Sequence, residues 1–563
     1  MGMTETQEHA PAKTWHPLLS LVGYKIAFLP GDLAAGLTLA AIAIPEQMAT
    51  ARLGGFPPGL GFTAFLAGAF AFAVFGANRF LSTGADSTIT PIFASGLALL
   101  AASGSPDHAA LAAALALMVG VFLIGGGAFR LGWIADLLSI PVTTGFLAGI
   151  AIHIIMSQLP TLLGLPSPEG GPLRKAAHLF LSMGGANPWT LGIGVSVFAI
   201  TVAAEKVDKR LPGPLIAVAL ATLVPIFLGA DSHGITVLGA VPLGLAMPAL
   251  PEIGIGDLRN LFPTALVVTA VIMVQTAATT RSFEEADANV NRDFIGVGAG
   301  NMLAGLLGAF PVNASPPRTA IVAETGGRSQ IASLTAAALV LTLLLFGASI
   351  LDRVPQAALS GILLFIAVRI IRIGVIADVF RATIEEFVLI IATLIAIVVL
   401  PIGSGVACGI ALSLLHGMWS NSRVRAIEFS RVAGTSIWWA PGGEGGGEHL
   451  PGILVLAWQA PLSFLNAYAF QGDVNRLLGG RPEPLHLLVL ESSNMITIDF
   501  TAAKILGQVI TDCRARGIDV AIARLESLRA QQALANFGLT KRLGTDHVFQ
   551  SVAQAVAVLG KTS

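Results

Sequence analysis

The chain has 563 residues, of which 54% are hydrophobic and only 12% charged, and its mean hydropathy is +0.78. That balance excludes an ordinary soluble enzyme and a disordered chain, and a net charge of −1 excludes a nucleic-acid partner held by bulk charge. Its two cysteines, Cys408 and Cys513, exclude a disulfide framework and a thiolate metal site.

Residues 1–29 are polar from Met1 to His9 and then amphipathic. They lack the apolar core and cleavage site of a signal peptide, so they read as a cytosolic N-terminal segment that stays in place. From Pro30 to Asn421 the apolar runs reach the roughly 20 residues needed to cross a bilayer, and about fourteen helices are expected. Residues 30–229 hold spans 1–7, residues 230–257 an extracytoplasmic loop, and residues 258–421 spans 8–14. Seven spans in each half force opposite topologies, the arrangement of an inverted repeat. With an even number of spans and both termini in the cytoplasm, the inner segments carry fifteen Lys and Arg, among them Lys206, Lys209, Arg210, Arg369, Arg372 and Arg381. The outer segments carry five: Arg52, Arg174, Lys175, Arg259 and Arg353. This positive-inside bias predicts a multi-pass protein of the cell (inner) membrane with both termini cytoplasmic.

Residues 422–440 read as a connection, with Thr435–Trp439 as a first strand, and 441–450 as a Gly-rich hairpin loop. Residues 451–560 then alternate strands and helices. Ile453–Trp458, Leu485–Glu491 and Asp519–Leu525 read as strands, and Phe464–Leu478, Phe500–Arg516, Ser527–Phe537 and Val548–Leu559 as helices. The pattern describes a compact cytosolic α/β domain.

The most informative residue is Arg318, a cation deep in apolar sequence just after Ser315-Pro316-Pro317. Arg at the centre of a bilayer costs about 2.5–3.5 kcal/mol on insertion scales, so a functional role is the default expectation. The alternative is an Arg that snorkels or pairs structurally. Phe310–Pro317 leads into a short tenth helix, and Phe80–Ser87 leads into a short third helix at the corresponding place in the first half. Paired interrupted segments of this kind point to a midplane binding site. Thr83 and Asp86 have capping-box spacing, and Ser315-Pro316 places a cap before a first-turn proline. Two helices meeting N-terminus to N-terminus would leave room for an anion held by backbone N–H groups. The expected substrate-binding set is Gly84, Ala85, Asp86, Ser87, Asn313, Ala314, Ser315, Arg318 and Thr319.

Two carboxylates, Glu46 and Asp86, lie in the same apolar region. With both ionised beside Arg318 the local sum is one negative charge, which repels an anion; protonating either removes the repulsion. Glu46 or Asp86 is therefore expected to carry a coupling proton. A helix cap or an Arg318 partner is the plainer reading of Asp86, and a structural polar contact that of Glu46. His153, Gln158, Thr143, Thr144 and His416 read as interhelical, kink-satisfying or interfacial groups. No nucleotide-binding loop, metal-ligand cluster or nucleophile–base pair points to an enzyme, and no cofactor is expected.

These motifs, taken in order, resemble the SulP anion transporters, or sulfate permeases, along almost the whole chain. The resemblance rests on Gly31–Thr38 with Ile44–Ala49 and Gly55–Leu60, and on Ala288-Asn289 with Gly300–Leu306 and Gly308–Pro311. The C-terminal part resembles the STAS domain, most clearly at Pro461–Ala467 and Ile498–Thr501. The resemblance implies a core domain (helices 1–4 and 8–11) moving against a gate domain (5–7 and 12–14), often in a homodimer. It also implies sulfate, bicarbonate, chloride or dicarboxylate substrates. Arg318 occupies the basic position of the family's Ser-Arg-Ser-Ala motif, here Pro317-Arg318-Thr319-Ala320. In the stretch Val274–Thr279 the family's usual coupling acid is replaced by Gln275, with Thr279 following. A neutral amide carries no proton and is a poorer sodium ligand than a carboxylate, so sodium coupling is disfavoured. Glu46 stands where the family commonly has glutamine. Thr501 aligns with a serine phosphorylated in STAS-type anti-sigma antagonists, but the context Asp499-Phe500-Thr501-Ala502 favours a helix cap.

The expected protein is a polytopic α-helical membrane transporter with a 7+7 inverted repeat and a cytosolic STAS domain. It would move small anions, sulfate first, by an elevator-like movement of the core within the lipid bilayer. Bicarbonate or C4-dicarboxylate transport, an uncoupled anion channel, and a membrane sensor acting through a cytosolic STAS partner are the alternatives.

Overall fold

The structure is a computed structural model that describes residues 17–560 except 134–138, 167–171, 209–210, 229–232, 239–246, 284–288, 348–350, 441–446 and 481–483. Most of the N-terminal segment, Ala288, and most of the Gly-rich loop lie outside the described residues. The chain divides into two compact units, Met1–Ser413 and Leu414–Ser563.

In the first unit, spans begin where proline can occupy a first-turn position at no hydrogen-bond cost. This holds for α1 (Leu29–Leu53), α2 (Pro58–Phe75), α3 (Thr90–Leu97), α4 (Pro106–Ala128), α5 (Ile140–Leu162), α7 (Pro188–Val207) and α11 (Pro316–Glu324). The remaining spans are α8 (Gly213–Leu228), α9 (Ile255–Phe283), α10 (Val290–Leu306), α12 (Ile331–Phe346) and α13 (Gln356–Ile370). They are joined by α15 (Ile384–Val399) and α16 (Ile402–Ser422). Two amphipathic helices, α6 (Pro172–Ser182) and α14 (Ile373–Ala382), lie outside this set. Among the described residues the spans therefore fall into two sets of seven, α1–α5 with α7 and α8, then α9–α13 with α15 and α16. Among the described residues, seven helices are long and apolar enough to cross a bilayer by length and composition. The half-helices α3 and α11 are eight and nine residues long and could not cross alone.

The two interrupted segments meet. β1 (Thr83–Gly84) pairs antiparallel with β2 (Asn313–Ala314), Thr83 opposite Ala314 and Gly84 opposite Asn313. Irregular backbone at membrane depth must find partners inside the protein, and these buried residues find them in each other. Close helix contacts hold the crossing in place. A Cβ on Gly300 of α10 would lie 3.1 Å from the Gly68 Cα of α2, and one on Gly61 would lie 2.2 Å from the Gln47 carbonyl oxygen of α1.

The second unit is built on a five-stranded sheet of order β3-β6-β7-β8-β9. β3 (Ala426–Glu428) runs antiparallel to β6 (Ile453–Trp458). β6, β7 (Leu487–Glu491), β8 (Asp519–Ala523) and β9 (Val548–Phe549) are mutually parallel. Strand alternation sorts the core onto two faces. Leu454, Leu456, Leu488, Leu490, Val520 and Ile522 pack against α17 (Ala467–Gly479) and α18 (Phe500–Ala515). Ile453, Val455, Leu487, Val489 and Ala521 pack with Val552 and Ala555 of α21 (Val552–Leu559). Two shorter helices, α19 (Leu528–Asn536) and α20 (Leu539–Leu543), complete the unit.

Two expectations are corrected here. The first strand of the sheet is Ala426–Glu428; Trp438–Trp439 (β5) pairs instead with Ser430–Arg431 (β4) in a separate two-stranded ribbon. Residues 548–559 are not one helix, because Val548–Phe549 joins the sheet edge beside Ile522–Ala523 before α21 begins.

Asp473 fastens β3 to this unit. Its carboxylate accepts from the Ala426 N–H at 2.9 Å, from Arg425 Nη1 at 3.0 Å and from Arg476 Nη2 at 2.9 Å. Burial would raise this carboxyl, but the Ala426 N–H and the two guanidiniums outweigh it and hold the pKa below the ordinary carboxylate value. A depressed pKa contributes stability that is present at neutral pH and is lost as pH falls through the folded-state value. Asp473→Ala leaves a buried N–H without its acceptor, a loss of about 1–3 kcal/mol. The expected result is faster amide exchange across residues 424–428 of the full-length protein at pH 7, with exchange elsewhere in the second unit much less affected.

Candidate anion-binding site

The site begins at a proline. Pro45 lies inside α1, and the two residues after it, Glu46 and Gln47, turn to different partners. Gln47 is fully buried; its Nε2 donates to the Ala85 carbonyl at 3.0 Å, and its Oε1 accepts the Ala85 N–H at 2.8 Å. One side chain thus stands in for a strand neighbour at the residue following β1. Asn301 of α10 does the same for the other segment, donating to Val312 O at 2.9 Å and accepting the Val312 N–H at 3.0 Å. Such pairing meets the cost of backbone groups that have left a helix inside an apolar environment.

Asp86 is 5% exposed and holds the turn that follows it rather than capping a helix, since α3 has Ile89 at its N-cap and no side-chain cap. Its Oδ1 accepts the Thr88 N–H at 2.9 Å and the Thr88 hydroxyl, and its carbonyl accepts the Thr90 N–H at 3.1 Å. A turn at residues 87–89 separates it from α3, so the helix starts at Thr90, beyond the Phe80–Ser87 segment. Thr83 sits in β1 and caps nothing, which corrects the capping-box expectation. A polar relay runs from there to the other half of the unit. Asn313 Nδ2 donates to Gln275 Oε1, Gln275 Nε2 donates to Thr88 Oγ1 at 2.9 Å, and the Thr88 hydroxyl donates to Asp86. The amide at 275 carries both a donor and an acceptor, which lets one side chain of α9 join the two half-helix starts.

Arg318, on the first turn of α11, is completely buried. Its Nη1 donates to Glu46 Oε1 at 2.8 Å and to Ala85 O at 3.1 Å. Its Nε and Nη2 have no acceptor among the described residues. A buried guanidinium with open donors is costly unless something fills them. Arg318 borders a cavity of about 250 Å³ that is also lined by Glu46, Asp86, Ser87, Thr88, Gln275 and Ser315. The Ser87 and Ser315 side chains make no hydrogen bond to the described residues.

Not all of the expected site residues reach this cavity. Gly84, Asn313 and Ala314 are held in or beside the β1–β2 ladder, and Ala85 offers only its carbonyl, to Arg318 and Gln47. Thr319 Oγ1 donates to Ser315 O at 2.8 Å and accepts the Ser82 N–H at 3.1 Å, behind the cavity. Thr279 Oγ1 returns to Gln275 O at 2.7 Å. The expected cradle of backbone N–H groups is also smaller than supposed. The Ser315 N–H is given to Ser82 O, Ala85 N–H to Gln47, and Pro316 and Pro317 have none. At α11 the guanidinium adds two open donors of its own.

Sequence reasoning missed Gln47, Thr88, Asn301, Arg369 and Arg372. The last two line the same cavity, so its wall carries three arginines against Glu46 and Asp86, a net of one positive charge. In the sequence their basic character signals only membrane orientation. His153 Nε2 lies 2.8 Å from Ile397 O, Ser360 donates to Gln158 at 3.0 Å, and the Thr143 and Thr144 hydroxyls bond back to Ser139 and Ile140. In the second unit Asp499 caps α18, accepting the Ala502 N–H at 2.8 Å and the Phe464 N–H at 2.6 Å, while Thr501 is half-buried on the first turn.

The Sulfate permease family profile matches residues 29–393, and the STAS domain profile matches residues 448–555. "Probable sulfate transporter MT1781" of Mycobacterium tuberculosis is 34% identical over 552 residues, covering 96% of this chain and 97% of that protein. "Probable sulfate transporter 4.2" of Arabidopsis thaliana is 25% identical, covering 94% of this chain and 80% of its own length. Among solved structures, murine Slc26a9, titled as an anion transporter in the inward-facing state, superimposes with a TM-score of 0.88 at 20% identity, covering 99% and 97% of the two chains. The transmembrane domain of BicA, titled as a cyanobacterium bicarbonate transporter, gives 0.61 at 24% identity, covering 69% of this chain and 97% of its own. With a buried arginine at the crossing of two half-helices and profile matches along most of its length, the chain belongs to the sulfate permease family and carries a C-terminal STAS domain.

Proposed function

We propose that the protein is a secondary active transporter of small oxyanions, with sulfate the favoured substrate and uptake linked to a proton. The observation that carries this reading is Arg318, completely buried, with Nε and Nη2 unpartnered at a cavity between the two half-helix starts. Sulfate is favoured because relatives spanning nearly the whole chain bear the name probable sulfate transporter. The division of the cavity wall supports an elevator-type movement. Glu46, Asp86, Ser87, Gln275, Ser315 and Arg318 come from α1, α9, α11 and the turn before α3, whereas α5, α8 and α13 contribute Leu147, Pro214, Ile362, Phe365 and Ile366, with Thr143 and Arg369 the polar exceptions. A polar face opposed to a mostly apolar one can slide without exchanging hydrogen bonds.

Glu46 is the better candidate for the coupling proton. It holds Arg318 directly, whereas Asp86 is committed to Thr88 and the start of α3. Gln275, locked in its relay, favours an uncoupled anion path as the competing reading. The test is uptake of radiolabelled sulfate, bicarbonate and fumarate into proteoliposomes at two pH values, with and without an imposed pH gradient. Concentrative uptake driven by the gradient supports the proposal; movement that only ever dissipates the anion gradient would leave the uncoupled path.

A further inference from the structure

The cavity does not end at the half-helix starts. Its wall includes Arg369, in the last turn of α13, and Arg372, which precedes α14. Arg369 Nη1 lies 3.2 Å from Glu205 Oε1 of α7, and both side chains keep substantial exposure, 44% and 32%. Arg372 is exposed and has no carboxylate partner among the described residues. These two guanidiniums differ from Arg318, which is buried and paired with Glu46.

The contrast has a physical consequence for any anion that uses the cavity. The wall that α13 gives the cavity carries Ile362, Phe365 and Ile366 as well as Arg369, so an anion passing along it meets apolar side chains. Charge in such a passage is costly unless a second favourable position lies along it, and passage requires each position to bind weakly enough to let go. Hydrated, mobile guanidiniums meet both needs: they attract oxyanions and match their geometry, yet retain too much water and rotamer freedom to bind tightly. A carboxylate beside one of them tunes the attraction further.

We propose that Arg369 and Arg372 form a second, weaker oxyanion station at the cytoplasmic mouth of the cavity, with Glu205 competing for Arg369. The proposal rests on the transport reading and on the orientation set by the positive-inside bias. The station would serve a tetrahedral or planar oxyanion approaching or leaving on the cytosolic side only.

The experiment uses the full-length protein in right-side-out and everted membrane vesicles, with radiolabelled sulfate, bicarbonate and fumarate. Arg369→Gln and Arg372→Gln are each expected to raise the half-saturating anion concentration about threefold to tenfold in everted vesicles, with little change in right-side-out ones. Glu205→Gln is expected to lower it in everted vesicles, and Arg372→Lys to stay near the wild type. The difference between wild type and Arg372→Gln should shrink as ionic strength rises from about 0.02 to 0.3 M, because these side chains are exposed to screening. Fluorescence-detected size exclusion checks that each variant is folded and equally abundant. Equal shifts on both faces, no shift on either, or a gap insensitive to salt overturns the station. A wild type that moves none of the three anions from either face overturns the transport reading instead, and the station with it.

Discussion

Arg318→Ala is expected to abolish anion uptake, a loss on the order of a hundredfold or more, and to destabilise the membrane unit at the same time. Each charge-assisted hydrogen bond to a bound oxyanion is worth about 1.5–3 kcal/mol, and Arg318 has two open donors to offer. The substitution also strips Glu46 of the cation 2.8 Å away, and removing one member of a buried pair costs about 3–5 kcal/mol. The two effects can be separated. Arg318→Ala combined with Glu46→Gln should recover most of the thermal stability of the detergent-solubilised protein and none of the uptake. Arg318→Lys should keep the charge but lose the Nε and Nη2 donors that stand open at the cavity, giving intermediate uptake. Normal uptake by Arg318→Ala in sealed proteoliposomes would remove the anion site from this cavity.

The second large effect is expected at Glu46. An ionised Glu46 occupies Arg318 Nη1, so an incoming anion competes with a carboxylate already in place. Protonation removes that competitor and adds one positive charge to the cavity wall. Uptake by the wild type should therefore fall as pH rises, and Glu46→Gln should make it flat, retaining the low-pH rate at high pH. The advantage of the variant at the alkaline end should be about tenfold, the worth of one charge-assisted hydrogen bond near the lower end of its range. Asp86→Asn is the informative control. Asparagine still caps the turn toward Thr88, so its pH dependence should follow the wild type. If Glu46→Gln keeps the wild-type pH profile and Asp86→Asn loses it, the coupling role moves to Asp86.

Much of the fold could be read from residue order. Prolines at span starts, the two interrupted segments at 80–87 and 310–317, and the change of composition after Asn421 each have a local physical cause. The helix starts were less legible at α3. Asp86 has the chemistry of a helix cap, yet its carboxylate holds the turn over 87–89 and α3 begins at Thr90 with no side-chain cap. Nor could periodicity place the first strand of the second unit. Ala426–Glu428 and Trp438–Trp439 are both short, and which of them joins β6 depends on where Asp473 holds the backbone at Ala426.

By itself the sequence determined that the chain spans a membrane and that one cation, Arg318, lies in apolar surroundings between matched half-helices. Burial cost makes such a charge conspicuous wherever it falls, and hydropathy is additive along the chain. Only the tertiary structure decided which groups share its cavity. Glu46, Asp86, Gln275, Arg369 and Arg372 come from separate elements spread along the chain from α1 to the start of α14, and nothing local marks Glu46 rather than Asp86 as the partner at 2.8 Å. Tertiary structure also withdrew two backbone N–H groups from the site, since Gln47 claims that of Ala85 and Ser82 that of Ser315. A backbone N–H has one proton to give, and which acceptor receives it is settled by proximity in space.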